Sequence, residues 1–121
     1  MVGRWFGHMA HGAFVHRPIA AAAPVAHELA IGWLAHYAMG LGYGLAYVYI
    51  VVALAGRAPS LLSGVIFALA LLVFPWLVMQ PAMGAGVFAS RAPRPNVMRL
   101  VSLSLHTAFG FGLYAGSLVI H

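Results

Sequence analysis

Three long runs without charged side chains constrain this chain more than any other feature of its sequence. They cover residues 29–55, 61–79 and 100–120. The hydrocarbon core of a bilayer is about 30 Å thick, and a helix needs roughly 20 apolar residues to cross it. Each run is therefore long enough to cross, and the sequence predicts three transmembrane helices.

The composition of the chain also indicates a lipid environment. Of 121 residues, 64% are hydrophobic and 6% are charged, which is too little charge to cover a water-soluble globule. The chain has no cysteine, which excludes a disulfide framework, a thiolate nucleophile and a cysteine metal site. The arginines are scattered between apolar runs, as expected for contacts with lipid headgroups and not with nucleic acid.

The predicted fold class is an all-α membrane protein with an amphipathic interfacial segment before three spans. The N-terminal segment alternates aromatic side chains with arginine and histidine, a pattern typical of a helix that lies in the interface. Prolines and arginines separate the later spans. Within a single domain, 1–121, the expected order is interfacial segment 1–23, first span 24–55, second span 60–80, interfacial or re-entrant connection 81–96, and third span 98–120.

The arginines predict the orientation of the spans. With a cytoplasmic N-terminus, only Arg57 lies outside, and the other five arginines lie on the cytoplasmic side. The positive-inside rule favours this arrangement, which places the C-terminus outside the cytoplasm. The first and third spans then run parallel.

Two histidines in these parallel spans share a depth. His36 follows Glu28 by eight residues and His106 follows Arg99 by seven, so both are expected roughly 10 to 12 Å inside the cytoplasmic boundary. Small residues lie four positions before and after each histidine along its helix, namely Gly32, Gly40, Ser102 and Gly110. Another helix or a flat cofactor has room to approach either imidazole.

Three interpretations of this pair stay open. His36 and His106 could be buried polar residues that hydrogen-bond across a helix interface. They could instead ligate haem iron, the magnesium of a chlorophyll-type pigment or a metal ion. The third interpretation is a proton or ion relay in a transport component, with Glu28, His36, Gln80 and His106 as a polar network.

Glu28 is the only acidic residue of the chain. Because Pro24 is a suitable first residue for a helix, Glu28 is expected near the positive end of the helix dipole. We expect the carboxylate to pair with a nearby arginine or histidine.

Two stripes of small residues predict close helix packing, one on the first span and one on the third. Such stripes let the backbones of neighbouring helices approach each other. The stripe on the third span faces away from His106, so we expect it to serve a partner chain. The stripes consist of Gly40, Gly44, Ala108, Gly112 and Gly116.

Motifs of familiar enzymes are missing from the sequence. There is no aspartate, no nucleophile elbow, no HEXXH zinc motif and no P-loop. GAGVFA, residues 84–89, imitates a dinucleotide fingerprint, but no strand precedes it. The sequence predicts no catalytic residue, and we expect no enzyme.

Four segments resemble a known bacterial family in the same order along the chain. They are GRWFGH (3–8), ELAIGWLAHYAMG (28–40), MQPAMGAGVFASRAPRPN (79–96) and RLVSLSLHTAFGFGLY (99–114). The family is the membrane-protein family called domain of unknown function 2938, and the resemblance covers nearly the whole chain. It implies a small polytopic inner-membrane protein without a known activity. It also implies a further hydrophobic helix before the GRW segment, which this chain is expected to lack.

Together these features predict a protein that works by association with the bilayer and with other membrane subunits. The expected role is an accessory subunit, or an assembly or stability factor, of a larger bacterial membrane complex, with energy transduction as one setting. The alternatives are a protein that binds haem, a chlorophyll-type pigment or a metal through His36 and His106, and a component of proton, ion or small-solute transport.

Overall fold

A computed structural model describes residues 1–120 and contains helices and no strands in that range. The predicted all-helical class is confirmed. Three helical stretches are long and apolar enough to cross a membrane: Glu28–Leu54, Leu61–Ala82 and Pro95–Ile120. The α-helices are α1 (Val2–Met9), α2 (Glu28–Val48), α3 (Leu61–Ala70), α4 (Gln80–Ala82) and α5 (Pro95–Ile120).

Two of the spans are completed by π-helical turns. Residues Tyr49–Leu54 extend α2, and Pro75–Met79 directly precede α4 within the second span. Pro75 has no N–H to donate to the carbonyl of Leu71, which instead accepts from the N–H of Phe74 at 3.1 Å. The wider π-helical turn follows directly after this interruption.

The span boundaries differ from the predicted ones by a few residues. The first helix begins at Glu28 and not at residue 24, because His27 has the left-handed backbone angle φ 58° and ends any helical path from Pro24. The second span begins after Ser60, whose side chain and backbone exchange hydrogen bonds with Ser63 at 3.1 and 3.0 Å. The second span continues to Ala82, and α5 begins at Pro95.

α3 and α5 form the tight pair of the bundle. They approach most closely where Gly64 meets Gly110. A Cβ atom on Gly64 would lie 2.6 Å from the carbonyl oxygen of Gly110. The buried core beside this crossing consists of Tyr47, Ala68 and Leu113. Through Tyr47, whose hydroxyl lies 2.8 Å from the hydroxyl of Ser63, α2 joins the pair near its C-terminal end.

α1 packs antiparallel on the beginning of α2. Gly3 lies against the backbone of Glu28 and Gly32, whereas Gly7 lies against Val25. The predicted amphipathic segment 1–23 is therefore α-helical only over Val2–Met9, with a short 3-10 turn at Ile19–Ala21. Its helix buries a Gly-x-x-x-Gly face against Val25 and the beginning of the first span.

The remaining N-terminal residues connect to the other end of the second span. The N–H of His16 donates to the carbonyl of Ala82 at 2.7 Å, and that of Ile19 donates to Met83 at 2.9 Å. Close by, the guanidinium of Arg99 donates to the carbonyl of Phe88 at 2.8 Å. Residues 1–27 and 80–99 thus form one end of the molecule, which we call the arginine-rich end.

Candidate functional site

A groove of about 840 Å³ lies between α1, α2, the second span and α5. His36 and His106 both line it, so the structure places the two predicted site residues on one cavity. Most of the other walls are apolar or aromatic, and they include Met1, Leu29, Trp33, Met39, Tyr43, Leu71, Phe74, Pro75, Met79, Leu105 and Phe109.

His106 has one ring nitrogen tied to its own helix. Nδ1 lies 2.9 Å from the carbonyl oxygen of Ser102, one turn earlier. Since a carbonyl can only accept, Nδ1 carries the hydrogen, and the neutral ring then has an unprotonated Nε2. His106 is half-buried and therefore presents a hydrogen-bond acceptor, or a metal ligand, at the groove.

His36 is held by aromatic contacts. Its ring meets Trp33 and Tyr37 edge-on, with centroid distances of 6.1 and 5.9 Å. The side chain is exposed at the groove, and no hydrogen bond to it occurs within residues 1–120. A direct hydrogen bond between His36 and His106 is thus absent from the described part of the chain.

Glu28 has the partner that the sequence led us to expect. Nε and Nη2 of Arg4 donate to the two carboxylate oxygens at 2.7 and 2.8 Å, and the N–H of Val25 donates at 3.2 Å. The side chains of Arg4 and Glu28 are 13% and 30% exposed. Hydrogen bonding to the carboxylate raises the pKa of the Arg4 guanidinium above its ordinary value. The expected pairing is confirmed, and its partner lies on α1.

Gln80 is separate from this groove. It is 6% exposed, and its Oε1 has no hydrogen-bond partner within residues 1–120. Trp76 Nε1 and His16 Nε2 are likewise buried and unpartnered there. Across the described residues, no hydrogen bond joins any two of Glu28, His36, Gln80 and His106, so the structure does not assemble the four into one network.

The predicted small-residue stripes border a second, smaller crevice. It measures about 270 Å³ and lies between α2 and α5, with Gly40, Gly44, Gly112 and Gly116 in its lining. Ala108 is exposed outside it. A Cβ atom on Gly40, Gly112 or Gly116 would meet nothing within 4 Å. The two stripes therefore face a shared space and are not packed against each other.

Sequence reasoning missed the glycines that do form helix contacts. Gly3 packs α1 on α2, Gly7 packs α1 on Val25 just before α2, and Gly64 packs α3 on α5. Gly32 and Gly110, which flank the histidines, are also in contact with Gly3 and with Val65, respectively. The available signal was the four-residue spacing of Gly3 and Gly7, which equals that of the predicted stripes.

A further kind of candidate site is a cluster of metal-ligating side chains. Residues 1–120 contain no group of three or more His, Cys, Asp or Glu side chains that could hold a metal ion.

Comparison with known proteins identifies the family. The family described as "Protein of unknown function (DUF2938)" matches residues 1–120. The chain belongs to this family. No curated protein and no solved structure matches the chain. The resemblance of the four sequence segments is thus confirmed at family level, and the family description assigns no activity.

Proposed function

We propose that the protein is a non-catalytic accessory or assembly subunit that packs against a transmembrane helix of a larger membrane complex. The supporting observation is the crevice between α2 and α5. Four glycines border it, and three of them have open space where a side chain would begin. In hydrocarbon, helix association depends on close packing, for which such surfaces are suited.

The loose attachment of α2 supports the same role. Only 11% of the most apolar window of Glu28–Leu54 is buried inside the protein. Tyr47 is the buried residue of α2. A helix of a partner subunit placed along Gly40 and Gly44 would bury backbone atoms that a lipid chain contacts poorly.

We infer a location in the inner membrane of a bacterium, and the distribution of arginines supports an orientation with the arginine-rich end in the cytoplasm. Five of the six arginines belong to residues 1–27 and 80–99, and Arg57 follows the first span. Basic residues near short loops remain on the cytoplasmic side during insertion.

Leucine in the crevice tests the proposal. Gly112→Leu fills the space between α2 and α5, whereas Ala115→Leu adds the same bulk to an exposed position of α5 outside the crevice. We expect membrane proteins that co-purify with the wild type in mild detergent to be lost, by roughly tenfold, from Gly112→Leu alone. Equal recovery with the two variants, both inserted and folded, would contradict the proposal.

A second candidate function rests on the groove. Because His36 and His106 line one cavity, they could ligate the metal of a haem or chlorophyll-type macrocycle. The absorption spectrum of the purified protein tests this candidate directly. A chromophore that disappears in folded His36→Leu and His106→Leu variants would establish it, and colourless wild-type protein would remove it.

A further inference from the structure

We propose that the groove lined by His36 and His106 binds a neutral aromatic amphiphile that carries a ring hydroxyl, the chemistry of a membrane quinol. This goes beyond the association role, which concerns the glycine-lined crevice. Four properties of the groove define the ligand: its charge, its hydrogen-bonding groups, its walls and its size.

The largely uncharged lining of the groove favours a neutral head group. Glu28 is the acidic residue that borders it, and Arg4 binds both carboxylate oxygens, at 2.7 and 2.8 Å. The carboxylate charge is thus already compensated. An ionised ligand would lose its hydration against the apolar walls, which costs free energy.

The hydrogen-bonding groups favour a ligand that carries a donor such as a hydroxyl. Because Nδ1 of His106 donates to Ser102, its neutral ring can only accept through Nε2. Within residues 1–120, neither this nitrogen nor the ring of His36 has another hydrogen-bond partner. A lipid acyl chain would leave both imidazoles unpaired in hydrocarbon, which costs free energy. A phenolic hydroxyl donates to His106, and a second ring oxygen can bond to His36.

The walls and size suit a planar ring with a tail. Trp33, Phe74 and Phe109 supply aromatic surface around the histidines. The volume of about 840 Å³ falls within the range of roughly 300 to 1,000 Å³ that small-molecule sites usually have. Leu29 and Trp33 are 74% and 54% exposed at the border of the groove, so an apolar tail can continue into the surrounding lipid.

Titration with decyl-substituted benzoquinol and the corresponding benzoquinone tests the proposal. Both are added anaerobically to detergent-purified protein at one micelle concentration, and binding is measured by isothermal titration. Since His106 offers an acceptor, we expect the quinol to bind roughly tenfold more tightly than the quinone, the ratio given by one hydrogen bond.

Matched variants of α5 locate the effect. His106→Leu is expected to abolish the preference for the quinol, and His106→Gln, which keeps an acceptor, to retain part of it. Thr107→Val is the control, because Thr107 bonds to Leu103 of its own helix and does not line the groove. Circular dichroism and size-exclusion chromatography verify that each variant is folded.

Three results would overturn the proposal. They are non-saturable uptake equal to that of empty micelles, an unchanged preference in folded His106→Leu, and a bound macrocycle in the purified wild type. Gly112 does not line the groove, so Gly112→Leu should bind the quinol as the wild type does. Failure of the association role and failure of quinol binding are thereby distinguished.

Discussion

At the scale of single residues, Arg4 connects more of the chain than any feature of the sequence suggests. Besides Glu28, its guanidinium contacts the carbonyl oxygens of Ala20 and Ala22 at 3.3 and 3.2 Å. One planar side chain thus joins α1, the following irregular segment and the first turn of α2. The chain has only one acidic residue, so no other carboxylate side chain could replace this partner.

We expect Arg4→Lys to lower the melting temperature of the detergent-purified protein nearly as much as Arg4→Ala does. A lysine ammonium cannot donate two parallel hydrogen bonds to Glu28 while also contacting two carbonyls. Arg57→Lys, at an exposed position after the first span, is the control and should have no effect. When Arg4→Ala is combined with Glu28→Gln, the decrease in melting temperature should be much smaller than the sum of the two single decreases. Full rescue by lysine would show that charge alone matters.

At the scale of helices, the sequence predicted how many spans exist but not which surfaces join them. Runs of apolar residues determine the spans, because the bilayer sets their length. A glycine stripe only provides a surface, and its partner depends on how the other helices are placed. Hence Gly40 and Gly112 border an open crevice, whereas Gly64, which was not predicted, forms a close contact with Gly110 of α5.

Alanine substitutions separate these two kinds of glycine. A Cβ on Gly64 would lie 2.6 Å from the carbonyl oxygen of Gly110, whereas one on Gly42 would meet nothing within 4 Å. We expect Gly64→Ala to lower the free energy of unfolding by about 1 to 3 kcal/mol through overpacking. Gly42→Ala should be neutral or stabilise by up to about 1 kcal/mol, because alanine favours the helix. Unfolding in mixed micelles measures both, and equal effects would refute this account of the crossing.

At the scale of the whole molecule, polar groups concentrate toward one end. The Arg4–Glu28 pair lies at the start of the first span, and the histidine groove extends from it along α2. The glycine-lined crevice follows further along α2 and α5, as far as Val48 and Ile120. The sequence predicted the shared depth of the histidines from residue counts. It could not predict that α1 would border their groove, because that depends on the turn between residues 10 and 27.

The position of the arginine-rich end predicts the orientation of the protein in the membrane, which cysteine labelling can test. The chain has no cysteine, so Ala58→Cys and Ala92→Cys each introduce a single thiol, one after each of the first two spans. If the arginine-rich end is cytoplasmic, a membrane-impermeant maleimide should label Ala58→Cys in intact cells and Ala92→Cys only after permeabilisation. A C-terminal reporter should then be active only if it works outside the cytoplasm. Labelling of Ala92→Cys in intact cells would reverse the orientation and would move the histidine groove to the outer half of the membrane.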